Sequence, residues 1–247
     1  MAEFPLAIVT GGAHRLGRAF ALTLAYEGYA VLVHYHRSAQ SAAKTITEIK
    51  SFGVPAYSMQ ADLTQAEHVQ ALFALVDSLL SRSGTKLSHL AAMVNSAAVM
   101  PRGNPKTLSI DDWDTALDLN LRAPFLCAQQ AHERMRSGGL IVNVSDVGAE
   151  KAWSRFPSYT VSKAALESLT KVLARSFAPS VRVNAIAPGL VLPSENVSEE
   201  EWDRLVQRMP LKRTATTEEV ASALEFLLKN EYVTGQIIVV DGGYSLL

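Results

Sequence analysis

The sequence predicts an α/β protein with a seven-stranded parallel sheet, doubly wound so that helices cover both of its faces. Three observations predict this class. Short apolar runs rich in β-branched residues alternate with longer amphipathic stretches along all 247 residues. The apolar runs are continuous, which is typical of strands that are buried on both faces. No linker-like stretch, repeat or low-complexity segment divides the chain, so we predict one domain over residues 1–247.

The predicted elements follow one another in strand–helix order. Strands are predicted at residues 6–10, 30–35, 54–59, 90–95, 140–144, 181–186 and 236–240. Helices are predicted at residues 16–27, 39–52, 65–81, 110–135, 158–177 and 217–228. The longest irregular region, residues 188–216, is predicted to hold a short helix at 199–207 and to act as a substrate lid.

Composition excludes several classes of protein. The formal net charge is −1, so total charge favours neither nucleic acid nor an anionic membrane as a partner. The single cysteine, Cys127, excludes an intrachain disulfide and a Cys-rich zinc site, and we predict that it is a buried apolar side chain. No histidine pair has the spacing of a hydrolytic zinc site, so no metal is predicted. No apolar run approaches about 18 residues and no signal-peptide pattern opens the chain, so a cytoplasmic protein is expected.

The strongest chemical signal is a tyrosine and a lysine one helical turn apart. Tyr159 and Lys163 are separated by four positions, and Asp146 precedes the tyrosine by thirteen. Side chains at this spacing share one face of a helix. A nearby ammonium stabilises phenolate, so we predict that the tyrosine pKa lies below its ordinary value of about 10. A phenol of that kind can donate a proton to a substrate near neutral pH.

A glycine-rich turn follows the first predicted strand and precedes the first helix. Its chemically important residues are Thr10, Gly11, Arg15, Leu16 and Gly17. Glycine lets the backbone approach a pyrophosphate closely, and the helix N-terminus offers free N–H groups. Such a turn alone also fits an ordinary strand–helix connection, but its place at the first strand favours a dinucleotide site.

The end of the second strand predicts which dinucleotide binds. A site for NAD usually has an acidic residue there for the ribose 2′-hydroxyl, and this chain has none. It has His36, Arg37 and Ser38 instead. An arginine fork beside a hydroxyl suits a 2′-phosphate, so NADPH is the predicted cofactor, with a solvated basic loop as the alternative.

Further cofactor contacts are predicted at the carboxyl ends of later strands, where open α/β sheets bind ligands. Asp62, beside Leu63, could accept a hydrogen bond from the adenine amino group, although a helix-capping role is a competing interpretation. Small residues after the fourth strand would let the adenosine ribose pack on the backbone, and backbone groups after the sixth could hold the nicotinamide carboxamide. These residues are Asn95, Ser96, Ala97, Pro188, Gly189 and Leu190.

Together these residues resemble the short-chain dehydrogenase/reductase family over essentially the whole chain. The matching pieces are Thr10-Gly11 with Gly17, Asp62, residues 95–98, Asn120, Tyr159 with Lys163, residues 182–184, Pro188-Gly189, residues 233–235 and residues 241–243. The resemblance implies a Rossmann-like domain, a nicotinamide cofactor and a homotetramer. It implies that Tyr159 is the proton donor, that Lys163 orients the ribose and lowers the tyrosine pKa, and that Asn120 joins a water-mediated proton relay.

Two departures from the family pattern point in one direction. Arg15 stands where the family usually has a third glycine, and Asp146 stands where it usually has a serine. Ser145 is adjacent, but neighbouring residues at a strand end face opposite sides, so it cannot substitute. Both departures resemble the pteridine reductase and dihydromonapterin reductase branch. Residues 34–38 also resemble the loop with which pteridine reductases select NADPH.

We therefore predict NADPH-dependent reduction of a dihydropterin or dihydrofolate-type substrate to the tetrahydro form. The hydride would reach C6 and the proton N5, through Tyr159 and Asp146, while Arg15 faces both the pyrophosphate and the pterin edge. An ionised carboxylate would repel a developing alkoxide, whereas a pterin ring offers N–H donors and a basic nitrogen.

The walls of the predicted substrate site are less clearly marked in the sequence. Val99 stands where protozoan pteridine reductases place a stacking phenylalanine, and a valine offers a flat ring less contact. Met100, Trp153 or Phe156 could supply a wall instead. Two alternatives stay open: an NADPH-dependent carbonyl reductase of a 3-oxoacyl thioester or sugar, and a non-catalytic NADPH-binding sensor.

Overall fold

The continuous apolar runs pair side by side as parallel strands. The structure is a computed structural model that describes residues 3–135, 137–193 and 197–247. In these ranges the strands form one seven-stranded sheet in the order β3-β2-β1-β4-β5-β6-β7, and every pairing is parallel. The strands are β1 (Phe4–Thr10), β2 (Ala30–Tyr35), β3 (Ala56–Gln60), β4 (Leu87–Asn95), β5 (Gly139–Val144), β6 (Val181–Pro188) and β7 (Ile237–Val240). The predicted fold class is confirmed.

Helices connect the strands and cover both faces of the sheet. They are α1 (Arg15–Tyr26), α2 (Ala39–Ser51), α3 (Ala66–Ser81), α4 (Ile110–Leu117), α5 (Ala123–Arg134), α6 (Pro157–Phe177), α7 (Glu199–Arg208) and α8 (Thr217–Lys229). One apolar core lies under α3, α5 and α6, and a second lies under α1, α2 and α8. None of these helices combines the length and the hydropathy that a membrane span requires.

Two sequence predictions about helices have clear outcomes. The predicted helical stretch over residues 110–135 is confirmed as far as Arg134, and a π-helical turn at Asp118–Arg122 lies within it, between α4 and α5. The prediction for Cys127 is confirmed: the thiol is buried in α5, and burial raises its pKa to about 12. In the irregular region 188–216 the predicted short helix is α7, while residues 194–196 lie outside the described residues.

The strand order reverses direction between β1 and β4, which opens a crevice at their carboxyl ends. Thr10 and Asn95 are register partners at this edge. The Thr10 hydroxyl oxygen accepts hydrogen bonds from the backbone N–H groups of Ser96 and Ala97, at 3.0 and 3.1 Å. The turn after β1 and the turn after β4 are therefore held together at the mouth of the crevice.

Candidate active site

A cavity of about 800 Å³ runs along the carboxyl ends of the strands. Most of the predicted site residues line it: Gly11, Arg15, Leu16, Gly17, His36, Arg37, Ser38, Asp62, Leu63, Ser96, Ala97, Val99, Met100, Asp146, Tyr159, Lys163, Pro188 and Gly189. A second cavity of about 390 Å³ adjoins it and takes in Trp153 and Leu190. The remaining predicted residues, Thr10, Asn95 and Asn120, are buried and do not line either cavity.

The glycine turn fits the diphosphate of a dinucleotide. Gly11 has a φ of +63°, and a Cβ added to it would lie 2.9 Å from the Cα of Ala97. A Cβ on Gly17 would lie 2.1 Å from the carbonyl oxygen of Gly11, so only glycine fits at either position. His14 precedes α1 without capping it through its side chain, and the first turn of α1 has no acidic residue. The positive end of α1 therefore faces the cavity, where a pyrophosphate would complement it.

Arg15 has the left-handed backbone of a glycine position, with a φ of +51°. Its guanidinium donates to the carbonyl oxygens of Pro193 and Leu192, at 3.0 Å each. Arg15 still lines the main cavity, and its predicted contacts with the pyrophosphate and the substrate stay a prediction. The planar fork of donors binds the loop after β6 because two carbonyl acceptors lie side by side within its reach.

The predicted 2′-phosphate site is assembled from consecutive residues at the end of β2. His36, Arg37 and Ser38 all line the cavity, and His36 and Arg37 are exposed to solvent. Ser38 precedes α2, and its hydroxyl does not cap that helix. The guanidinium of Arg37 and the hydroxyl of Ser38 could therefore both turn toward a phosphate.

Asp62 holds the turn after β3 and does not cap α3, whose N-cap residue is Gln65. Its Oδ1 accepts hydrogen bonds from the backbone N–H and the hydroxyl of Thr64, at 3.1 and 2.8 Å. The residue still lines the cavity beside Leu63. A contact between Asp62 and adenine stays a prediction.

Asp146 and Tyr159 are directly bonded at the centre of the crevice. The Tyr159 hydroxyl donates to Asp146 Oδ2 at 2.8 Å, and Asp146 Oδ1 accepts from the backbone N–H of Gly148 at 2.7 Å. Asp146 thus caps the turn that follows β5 and contacts the phenol at the same time. The hydroxyl of the adjacent Ser145 donates instead to Glu167 Oε1, at 2.7 Å. The carboxyl group, and not a serine, is therefore the partner of the tyrosine.

Lys163 lies one turn along α6 from the tyrosine. Its buried ammonium donates to the carbonyl oxygen of Val144 at 2.6 Å and lies 5.7 Å from the centroid of the Tyr159 ring. Burial lowers the pKa of Lys163 to about 8, against the opposing effect of two nearby carboxylates. The ammonium is charged at neutral pH but is close to losing its proton.

The prediction of a lowered tyrosine pKa is wrong for this state of the protein. Burial raises the pKa of Tyr159 well above its ordinary value, and the charge of Asp146 raises it further. Burial also raises the pKa of Asp146, although its bonds to Gly148 and Tyr159 and the charge of Lys163 oppose this shift. Burial therefore raises the pKa of both the carboxyl group and the phenol of this pair.

Asn120 is placed by the π-helical turn. Its side chain donates to the carbonyl oxygen of Val99 and to the Ser162 hydroxyl, at 2.9 and 3.0 Å, and accepts from the N–H of Val99 at 2.9 Å. These bonds tie the loop after β4 to α6. The predicted place of Asn120 in a proton relay stays a prediction.

Aromatic side chains missed by sequence reasoning form much of the second cavity. Tyr244 and Trp202 line it together with Trp153 and Phe156. The ring of Trp153 lies 6.4 Å from that of Tyr244 and 6.5 Å from that of Phe156, measured between centroids. Tyr244 follows closely after the end of β7. Its position at the carboxyl edge of the sheet was the available signal.

Comparisons with known proteins place this geometry in a family. A family model described as enoyl-(acyl carrier protein) reductase matches residues 11–245. The chain belongs to the short-chain dehydrogenase/reductase family.

Similar short-chain dehydrogenase/reductases have differing activities. The 3-oxoacyl-[acyl-carrier-protein] reductase FabG of Staphylococcus aureus is 33% identical over 96% of each chain. The 1-cyclohexenylcarbonyl-CoA reductase of Streptomyces collinus is 36% identical over 98% of this chain and 87% of its own. The crystal structure of FolM alternative dihydrofolate reductase 1 from Brucella suis, in complex with NADP, has a TM-score of 0.88 and 33% identity, over 99% of this chain and 96% of that one. This chain is an NADP(H)-dependent oxidoreductase.

Proposed function

We propose that this enzyme reduces a dihydropterin or dihydrofolate-type substrate to its tetrahydro form. One hydrogen bond carries the proposal: the Tyr159 hydroxyl donates to Asp146 Oδ2 at 2.8 Å, where the family usually has a serine. Reduction of a carbonyl would develop an alkoxide next to this carboxyl group, and an ionised carboxylate would repel it. Reduction of a C=N bond generates a basic nitrogen, which the same pair can protonate.

The roles of the residues follow from this chemistry. Bound NADPH supplies the hydride, which adds to C6 of the substrate. Tyr159 donates its proton to N5 as the C6=N5 double bond becomes a single bond, and the resulting phenolate regains a proton from solvent by way of Asp146. Lys163 holds the ribose and keeps positive charge near the phenol, so that the phenolate formed after donation is stabilised.

The aromatic lining of the second cavity supports a flat substrate. Trp153 and Tyr244 stand close together on one side, where they could contact a heterocycle that lies across the crevice. Val99 and Met100 line the main cavity, where Met100 can adapt its shape to a ring. The similarity to a protein described as an alternative dihydrofolate reductase supports the same substrate class.

Carbonyl reduction is the second candidate function. The relatives described as 3-oxoacyl-[acyl-carrier-protein] reductases support it as strongly as the structural neighbours support pterin reduction. A non-catalytic NADPH-binding sensor is the third candidate, although it has no need for an aligned tyrosine, lysine and carboxyl group.

A substrate panel separates the three candidates. NADPH and NADH oxidation would be followed with dihydrobiopterin, dihydromonapterin, dihydrofolate and an acetoacetyl thioester. We expect turnover with at least one dihydropterin or dihydrofolate and little with the thioester. Turnover of the thioester alone would establish the carbonyl reductase, and NADPH binding without any turnover would favour the sensor.

Three further expectations belong to this proposal. A homotetramer follows from the family resemblance, and a cytoplasmic location from the sequence. The loop after β6, which Arg15 holds through Leu192 and Pro193, is expected to close over the substrate as a lid.

A further inference from the structure

His34 is a buried polar side chain between the glycine turn after β1 and the edge strand β3. It lies in β2 and is 2% exposed. Its Nδ1 accepts a hydrogen bond from the backbone N–H of Gly11 at 3.2 Å. Its Nε2 lies 3.0 Å from the carbonyl oxygen of Ala61, just after β3. Because a carbonyl oxygen only accepts, Nε2 carries the hydrogen and the ring is a neutral tautomer.

The imidazole of His34 is bonded to Gly11, at the start of the glycine turn. Its bond fixes the peptide plane between Thr10 and Gly11, and the backbone carbonyl of His34 accepts from the next N–H group, that of Gly12, at 3.0 Å. A Cβ on Gly17 would lie 2.1 Å from the Gly11 carbonyl oxygen, so rotation of the neighbouring peptides would disturb the start of α1. His34 therefore bonds two successive amides of the segment that fits a pyrophosphate.

The other side of the ring reaches the adenine end of the crevice. Ala61 immediately precedes Asp62, which lines the same cavity as Gly11. The backbone N–H of Ala61 donates to the carbonyl oxygen of Tyr35 at 3.0 Å, so this segment is also tied to β2. The His34 ring thus connects the glycine turn, where the diphosphate is expected, with the Ala61–Asp62 segment, where the adenine is expected.

We propose that His34 is a positioning residue for NADP(H), whose ring holds the Thr10–Gly11 peptide in the orientation that the cofactor diphosphate requires. The interaction with Gly11 is the one that matters for the cofactor, and the interaction with Ala61 keeps the ring in its tautomer. A charged ring could not accept from Gly11. Burial lowers the pKa of His34 to about 4, helped by His36 and opposed by Asp62 and the bond to Ala61, so the ring is neutral at physiological pH.

Two substitutions separate the two bonds of the ring. The side-chain oxygen of asparagine lies near the position of Nδ1, so H34N keeps an acceptor for Gly11 and loses the donor to Ala61. The side-chain nitrogen of glutamine reaches the position of Nε2, so H34Q keeps the donor and loses the acceptor. Both variants remove one buried hydrogen bond, and a purely structural role would affect them alike.

The test is NADPH affinity by fluorescence titration, with thermal stability measured on the same samples. We expect H34N to bind NADPH within about threefold of wild type and H34Q to bind roughly tenfold more weakly, the effect of one lost hydrogen bond. Equal affinities for the two variants, or weaker binding by H34N, would overturn the proposal. His89 lies on the early part of β4, outside both cavities, so H89N and H89Q are matched controls that should leave affinity unchanged.

A measurement on the wild-type protein tests the proposal without any substitution, and so does not depend on whether the variants fold. Nitrogen-15 NMR of the histidine rings reports their tautomers directly. We expect His34 to be neutral with its hydrogen on Nε2 near neutral pH. An imidazolium, or a hydrogen on Nδ1, would leave Gly11 without an acceptor and would overturn the proposal.

Discussion

The carboxyl group of Asp146 lies in an environment that disfavours its charged form. It is partly exposed at the cavity, but protein atoms surround the carboxyl closely enough for desolvation to raise its pKa. The folded state therefore binds a proton more tightly than the unfolded chain does. The stability contributed by that proton is present at low pH and is lost as pH rises through the raised pKa.

This linkage predicts the behaviour of an isosteric variant. D146N keeps an acceptor for Gly148 but carries no charge, so its stability should not fall across that pH window. We expect D146N to be more stable than wild type at neutral pH by roughly 2–4 °C in Tm, which corresponds to about 1 kcal/mol for a chain of this size. Thermal melts at a series of pH values test this. A wild type that gains stability over D146N as pH rises would contradict it.

The loss of the proton from Lys163 should be visible in the pH dependence of activity. Burial lowers its pKa to about 8, so its charge is lost as pH rises through that value. We expect kcat/KM for the NADPH-dependent reaction to fall on the alkaline side with an apparent pKa near that value, because the neutral amine no longer stabilises phenolate. In a K171M control, which removes an exposed lysine on the same helix, the alkaline limb should stay in place. A flat profile far above the Lys163 pKa would contradict the assignment.

At this scale the sequence predicted which of these side chains lie together but not the direction in which their pKa values shift. The thirteen-residue spacing correctly predicted that Asp146 would lie at the tyrosine. The direction of the tyrosine pKa shift was wrong because burial is the sum of contributions from residues far apart in the chain. Sequence spacing shows which charges are near but not how much water is removed.

Among the elements, the turn between β1 and α1 carries backbone strain at Arg15. A non-glycine residue at a φ of +51° is disfavoured, so R15G should relieve the strain while it removes both bonds to the loop after β6. We expect R15G to keep its thermal stability but to raise KM for the reduced substrate by about tenfold, since two charged hydrogen bonds hold that loop.

Lys212 offers a matched control for this variant. It also has a left-handed backbone, with a φ of 54°, but it lies outside both cavities. K212G should relieve similar strain without affecting KM. If R15G and K212G change the kinetics alike, the loop contact of Arg15 has no role in substrate binding.

The loop after β2 should determine the choice of cofactor. Arg37 is exposed and lines the cavity beside Ser38, at the end of the strand where an acidic residue would favour NAD. We expect R37A to reduce the preference for NADPH over NADH by roughly 10- to 100-fold, the loss of a charge-assisted contact to the 2′-phosphate. The kcat/KM ratio for the two cofactors measures this. R82A, which removes an exposed arginine outside the cavity, should leave the ratio unchanged.

The ends of most elements could be predicted, whereas the π-helical turn could not. Apolar residues recur at helical spacing through residues 110–135, so the sequence pattern does not mark the turn between the two helices. The extra residue in the turn accommodates Asn120, whose bonds reach Val99 and Ser162 in other parts of the fold. A local pattern does not contain those tertiary contacts.

For the whole molecule, the alternation of strands and helices was enough to predict a parallel sheet with ligands at its carboxyl edge. The second cavity could not be predicted, because Trp153, Trp202 and Tyr244 come from three separated segments. Their meeting depends on how the loops after β5, β6 and β7 pack together. The aromatic lining of this cavity is therefore a property of the assembled carboxyl edge of the sheet.

The most direct test of the proposed chemistry compares two substrates in two enzymes. The kcat/KM values for a dihydropterin and for an acetoacetyl thioester would be measured for wild type and D146S. We expect wild type to prefer the dihydropterin, and D146S to lose about 100-fold or more of that activity without a matching loss toward the thioester, since a serine can support a carbonyl oxygen but cannot share the proton for N5. An unchanged ratio between the two substrates, or full dihydropterin turnover by D146S, would contradict the central claim that the Asp146–Tyr159 pair delivers the proton.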